Sequence, residues 1–265
     1  MNSHLLKTNY NSEIKIYHQG NLPCDLAQKT IDFIWLNNNL SSNNDDFKLI
    51  QESKAKVYRL KFNDDIYYIK SYAFRSPLKI FKNLFRPVEA LRCFKTAIQL
   101  NNANLAVFEP VLALTKRRNI LSTDSIFITK EVPGLDLRTY LFSNNNMNDL
   151  ELREKIIKKI AFIWSSLINY NFVHLDPCLN NLIVSSPIKE DLQIQIIDVD
   201  NMYRLPFLPK KLVLLKNLAR LRNRFRAFSP NDFEIDLFIK EFCKMSPTYT
   251  EPYLRSLVYR LNNKS

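Results

Sequence analysis

Glycine occurs only twice in the 265 residues, at Gly20 and Gly134. Glycine is the residue that lets a backbone turn tightly and approach a ligand closely. The chain therefore excludes every motif built on a glycine-rich loop in its standard form. Other residues must punctuate the fold. LNNNLSSNNDD, at the end of a possible helix over Leu26 to Leu36, reads as a loop or linker. KVYRLKF and IYYIKSY flank Asn63-Asp64-Asp65, which predicts an antiparallel hairpin within residues 47 to 74.

A helix is predicted from Pro87 to about Gln99, with Leu91, Phe94, Ala97 and Ile98 on one face. Strands follow at VLAL (111–114) and SIFITKEV (125–132), joined by a turn carrying Lys116, Arg117, Arg118 and Asn119. After Gly134 the period changes. LREKIIKKIAFIWSSLINY places Ile156, Ile160, Ile163, Trp164, Leu167 and Ile168 at helical spacing. NLIV and QIQIIDV then read as a hairpin, and the chain from about 208 reads as helical. This is an α+β pattern, with a β-rich first part carrying one helix and a mostly helical second part.

Acidic residues inside apolar runs mark the chemistry, because such groups are costly to bury without a cationic partner. VHLDPCLNNLIV contains His174, Asp176 and Asn181 in the pattern H-x-D-x-x-x-x-N, and IIDVD follows with Asp198 and Asp200. Upstream, Lys70 ends the strand-like run Tyr67-Tyr68-Ile69-Lys70. These are the parts of a phosphoryl-transfer site. The transferred group passes through a loose transition state, so catalysis consists mostly of positioning and charge neutralisation. Asp176 is placed to accept or orient the acceptor hydroxyl. Asn181 and Asp198 supply hard oxygens for Mg²⁺, which takes a few protein ligands and leaves the rest to phosphate and water. Lys70 is the candidate for the α/β-phosphates. Read singly, Asp176 and Asp198 fit turn residues and Lys70 a solvated strand lysine; their order along the chain favours the joint reading. His174 is expected to pack beneath the loop. Asp200 is either a further ligand or a turn residue.

On these residues the chain resembles the protein-kinase-like superfamily, and within it the lipopolysaccharide core sugar kinases that act on Kdo and heptose. Phe127 to Leu141 (FITKEVPGLDLRTYL) looks like their hinge and the segment after it. Leu105 to Leu114 (LAVFEPVLAL) and Lys216 to Phe225 (KNLARLRNRF) are similar to two further family segments. The resemblance covers roughly residues 47 to 228. It implies a bilobal protein-kinase-like fold: an N-terminal extension over 1–45, a small β-rich N-lobe and hinge over 46–134, and a larger, mostly helical C-lobe over 135–265. It further implies ATP and Mg²⁺ as cofactors and a sugar hydroxyl of the lipopolysaccharide inner core as acceptor. By the same resemblance Asp176 is the catalytic base, Asn181 and Asp198 hold the metal, Lys70 contacts phosphate, and the backbone around Glu131 and Val132 binds adenine.

Three departures stand out. The phosphate-covering loop should lie near Ile50 to Val57, yet IQESKAKV has no glycine. The helix glutamate that should pair with Lys70 is ambiguous: Glu89 is the only acid there, and the expected position falls on Cys93. Leu175 stands where many protein kinases have arginine, which argues against control by a phosphorylated loop. The alternatives are a small-molecule kinase of the aminoglycoside or choline type, and a pseudokinase serving as a membrane-associated binding module.

The formal net charge of +12 points to an anionic partner or to simple solubility. One cluster holds Lys79, Lys82, Arg86, Arg92 and Lys95. The other holds Lys210, Lys211, Lys216, Arg220, Arg222, Arg224 and Arg226, with no acid between 201 and 231. Either this is a helix with a solvated basic face, or it meets the inner-membrane surface or an anionic glycolipid. No nucleic-acid motif accompanies the charge. No apolar run is long enough to span a membrane, and the first twenty residues lack a signal-peptide core, so a cytoplasmic location is expected. Cys24, Cys93, Cys178 and Cys243 are scattered without a C-x-x-C and read as reduced thiols.

Overall fold

The computed structural model describes residues 5–36, 46–53, 55–73, 87–119, 122–143, 146–186, 191–224 and 228–262. Lys79, Lys82, Arg86 and Arg226 of the basic clusters lie outside the described residues. The chain divides into two compact units, Met1–Asn102 with Phe108–Glu131, and Ala103–Val107 with Val132–Ser265.

The first unit is a seven-stranded antiparallel sheet with helices. In chain order it holds β1 (Leu6–Asn9), β2 (Ile14–His18), α1 (Cys24–Ile31, continued by a π-helical turn over Asp32–Leu36), β3 (Phe47–Glu52), β4 (Lys56–Phe62), β5 (Asp65–Tyr72), α2 (Glu89–Asn102), β6 (Pro110–Arg117) and β7 (Thr123–Lys130). The spatial order is β1-β2-β6-β7-β5-β4-β3. β1 and β2, in the segment read from sequence as an extension, thus pair into this sheet, with β2 against β6. The β4–β5 hairpin forms where the sequence predicts it. Asn63 and Asp64 both adopt positive φ (48° and 62°), the two-residue turn whose twist matches the strands.

Alternation decides which side chains share a face. Leu60, Ile69, Leu112, Leu114, Ile126 and Ile128 meet Leu26, Ile31 and Trp35 in one core. Their neighbours point the other way, onto α2, which packs on β6 and β7. There Phe94 meets Phe127 edge-on, with ring centroids 6.3 Å apart, and the Ala90 amide donates to Ser125 Oγ at 3.3 Å.

The second unit carries β8 (Leu135–Asp136), α3 (Leu137–Phe142), a 3-10 turn (Asn146–Asn148), α4 (Leu150–Asn169), β9 (Phe172–His174), a 3-10 turn (Leu179–Asn181), β10 (Leu182–Ser186), β11 (Gln193–Ile196), β12 (Met202–Arg204), α5 (Lys210–Arg224), α6 (Asp232–Met245) and α7 (Glu251–Asn262). α4 begins where Asp149 accepts from the Leu152 amide, as helix N-caps do. Its face of Ile156, Ile160, Ile163, Trp164 and Leu167 is buried, as the 3.6-residue period predicts, and packs chiefly on α6. Three short strands pair as β11-β10-β8 and two as β12-β9. The Ala103–Val107 segment belongs to this unit because Val107 bridges to Ile196, whose amide donates to Ala106 O at 3.0 Å.

A buried ion pair joins α4 to α6. Arg153 grips Glu234 with Nε to Oε1 at 2.6 Å and Nη2 to Oε2 at 2.7 Å. Nη2 also donates to the Phe228 carbonyl at 3.2 Å, and the guanidinium stacks over the Phe228 ring. Glu234 Oε2 accepts the Asn231 amide, closing the capping box of α6.

Gly134 shows why one of the two glycines is needed. Its φ is +136°, and a Cβ placed there would lie 2.1 Å from the carbonyl oxygen of Val184 on β10. Gly134→Ala is expected to cost about 1–3 kcal/mol, seen as a lowered midpoint in thermal unfolding. Nothing lies within 4 Å of the corresponding position at Gly20.

Candidate phosphoryl-transfer site

Three of the predicted residues sit together in the second unit. β9 delivers the chain to Leu175, whose amide donates to Asn201 O at 2.9 Å. The backbone then turns: Cys178 N–H donates to Asp176 O at 2.9 Å and Asn181 N–H to Cys178 O at 3.0 Å. The Asn181 side chain closes the loop, with Nδ2 donating to Asp176 O at 2.9 Å. That commitment leaves Oδ1 as the oxygen it can offer a cation. β10 and β11 return the chain, and Ile197 N–H donates to Asn181 O at 3.0 Å. Asp198, one residue on, therefore lies beside Asn181. Its Oδ1 accepts the Asp200 amide at 3.1 Å, an Asx turn. The Asp200 backbone amide thus holds one oxygen of the Asp198 carboxylate.

Among the described residues, no three His, Cys, Asp or Glu side chains gather as a metal-binding group. A closed cage is thus not built there. An amide oxygen and a carboxylate are the donor types that suit a hard cation keeping water and phosphate as its other ligands.

His174 supports the loop from below. It is 1% exposed and stacks parallel to Trp164, with ring centroids 6.2 Å apart. The Asp176 amide donates to Nδ1 at 3.4 Å, so Nε2 carries the proton; that atom is buried and has no hydrogen-bond partner among the described residues. Burial lowers its pKa to about 4, against the opposing pull of Asp198 and Asp176. The ring is neutral at pH 7, as a packing residue should be. The folded pKa lies below the unfolded one, so the unfolded chain takes up a proton first as pH falls. Stability is expected to drop by up to about 3 kcal/mol between pH 6.5 and 4. Denaturant titrations across that range check it, and His174→Gln should flatten the profile.

The contacts of two residues here escaped the sequence reading. Asn217 of α5 is fully buried. Its Oδ1 accepts the His174 amide at 3.0 Å, and its Nδ2 donates to Phe172 O at 2.8 Å and Val213 O at 3.0 Å. It clamps β9, and so the loop that β9 feeds, to the helix. An asparagine amid the leucines of KNLARL was the available signal. The second is Arg224, at the end of α5, whose Nη2 stands 3.0 Å from Asp176 Oδ1. It forms an ion pair there without the alignment of a hydrogen bond.

The remaining predicted residues belong to the first unit or to its last link. Lys70 lies on β5 between Val57 and Phe127. Because Ile69 faces the α1 core, Lys70 shares the opposite face with Phe127, the face that α2 covers. Glu89 is the first residue of that helix. Cys93, one turn on, is fully buried with Sγ 3.9 Å from Tyr72 Oη. Cys93 therefore points into the core, and Glu89 is the acid on offer at that end of the helix. In the segment of the expected phosphate loop, β3 runs to Glu52, β4 starts at Lys56, and Ser53 N–H donates to Ala55 O at 3.1 Å. The Glu131 amide is committed to Ile66 O at 2.8 Å, and its carboxylate meets Arg59 Nε and Tyr68 Oη, each at 3.2 Å. Glu131 is the last residue of the first unit, and Val132 opens the second.

No curated protein sequence matches the chain significantly. The solved structure of WaaP in complex with acyl carrier protein shares its fold, with a TM-score of 0.64 over 82% of this chain and 86% of that one, at 15% identity. The model of the lipopolysaccharide kinase (Kdo/WaaP) family matches residues 49–242. That span holds Lys70, Asp176, Asn181 and Asp198, and the chain belongs to the lipopolysaccharide kinase (Kdo/WaaP) family.

Proposed function

We propose that the chain is an ATP- and Mg²⁺-dependent kinase with a bilobal protein-kinase-like fold that phosphorylates a sugar hydroxyl, on Kdo or heptose, of the lipopolysaccharide inner core. Asp176 orients the acceptor hydroxyl and receives its proton. Asn181 Oδ1 and Asp198 hold Mg²⁺, which neutralises phosphate charge when bound. Lys70 meets the α/β-phosphates, Glu89 pairs with Lys70, and the Glu131 carbonyl with Val132 receives adenine. The observation that carries this reading is the bonded loop in which Asn181 links Asp176 on one side to Ile197 and Asp198 on the other. Family membership supports the acceptor class.

The basic face of α5 favours an anionic acceptor over an aminoglycoside or choline, because those substrates are cationic. It also supports peripheral contact with an anionic membrane surface. No helix among the described residues is long and apolar enough to cross a membrane.

Mg-ATP is expected to raise the melting temperature of the native protein, and Asp198→Ala to abolish the rise. With labelled ATP, label should enter deacylated lipopolysaccharide and not protein or aminoglycosides. A native protein that neither binds nor hydrolyses Mg-ATP would be a binding module, and the kinase assignment would fall.

A further inference from the structure

Arg224 is the only cation found against Asp176 among the described residues. The loop itself supplies none: Pro177, Cys178, Leu179 and Asn180 separate Asp176 from Asn181. The guanidinium comes instead from the last turn of α5. About half of the Arg224 side chain is exposed. A guanidinium carries five N–H donors in a planar fork, and one nitrogen is spent on Asp176 Oδ1. The others are available to a group arriving from solvent.

Arg224 also ends a row. Lys216, Arg220 and Arg224 follow one another at intervals of four residues on α5 and are all exposed. Residues four apart on a helix are surface neighbours, about 5–6 Å apart. Val213, Leu214, Asn217, Leu218 and Leu221 fill the opposite, buried side. The row is therefore a single cationic stripe whose last member touches the carboxylate proposed to handle the acceptor hydroxyl. With no acid between 201 and 231, nothing on the helix itself neutralises it. A solvated helix face needs no such endpoint.

We propose that Arg224 reads the acceptor: it binds an anionic substituent, a carboxylate or a phosphate, that lies next to the reacting hydroxyl, while Lys216 and Arg220 hold further anionic groups of the same glycan. This rests on the kinase reading and deepens it from a sugar hydroxyl to a hydroxyl with an anion beside it. Until the acceptor arrives, the guanidinium sits on Asp176. When it takes the anion, it fixes the sugar in register and stays close enough to hold Asp176 in place. Arg224 is a specificity residue, and its signature is a loss that depends on acceptor charge.

The test measures KM and kcat for three forms of the lipopolysaccharide-derived acceptor: intact, with phosphates removed, and with carboxyl groups reduced. Arg224→Gln is expected to raise KM for the intact acceptor about 10–100-fold, the loss of a paired charge-assisted contact. Arg224→Lys, which keeps charge but not the fork, should fall between. Native protein should suffer a similar loss with whichever acceptor form lacks the recognised anion, and the variant should lose little more on that form. That form identifies the anion as phosphate or carboxylate. Lys240→Gln, the same charge loss at an exposed site on α6, should leave KM unchanged. Equal losses on all three acceptor forms would overturn the proposal and confine Arg224 to Asp176. Native protein that fails to bind Mg-ATP would instead remove the kinase reading beneath it, so the two failures are distinct.

Discussion

Asp176→Asn is expected to lower kcat for phosphoryl transfer about 10²–10⁴-fold, with Mg-ATP binding retained. The magnitude is that of a positioned general base. Asparagine is nearly isosteric, and the atoms that hold the loop are backbone atoms: Asp176 O accepts from Asn181 Nδ2 and from the Cys178 amide. The loop should therefore keep its shape while losing its proton acceptor. The measurement pairs single-turnover label transfer with a thermal shift by Mg-ATP. Transfer within threefold of the native rate would remove Asp176 from the chemistry. Loss of nucleotide binding as well would mean that the substitution had disturbed Asn181 and Asp198.

The largest effect on stability is expected at Arg153. Removing one partner of a buried ion pair leaves the other charged and unpaired, at about 3–5 kcal/mol. Arg153→Leu strands Glu234, which is 3% exposed, and releases the Phe228 carbonyl and ring. Burial pushes the Glu234 pKa up, but the Arg153 hydrogen bonds, the Asn231 amide and the Arg153 charge outweigh it and bring the value below 4.5. A carboxylate held below its unfolded value stabilises the fold above that value. The contribution is lost as pH falls through the folded value. Acid should therefore narrow the gap between native and variant protein, as read by denaturant unfolding at pH 7 and pH 3. The double variant Arg153→Met with Glu234→Leu should recover much of the loss, because an apolar pair of similar volume replaces the buried charges. No recovery would show that the cost lies in the capping box and the Phe228 contact instead.

Local signals carried much of this structure. Asn63-Asp64 between alternating strands marks a hairpin by residues local to it. The isoleucine ladder of α4 does the same for a helix. That Asp176, Asn181 and Asp198 come together was legible because their spacing is local to one loop and hairpin. β1 was not: all four of its residues are exposed, so no apolar period marks it, and its place depends on pairing with β2. The contacts of Asn217 with His174 and of Arg224 with Asp176 were illegible for a related reason. Their partners lie more than forty residues away in sequence, and only the packing of α5 brings them to the loop. Cys93 shows a further limit: counting places it at the expected glutamate position, and only the packing of α2 shows that its side chain is buried against Tyr72.

The Ala103–Val107 segment has a consequence for synthesis. Translation produces these five residues before β6 and β7, yet their backbone partners at Ile196 emerge about ninety residues later. A truncated chain starting at Val132 would lack the Val107 bridge and the Ala106 carbonyl that Ile196 uses, and one ending at Glu131 would leave those two groups without their partner. Neither half should be well behaved in isolation. Adding a peptide of residues 103–107 to the first should rescue it only as far as that short segment can be held without its covalent tether.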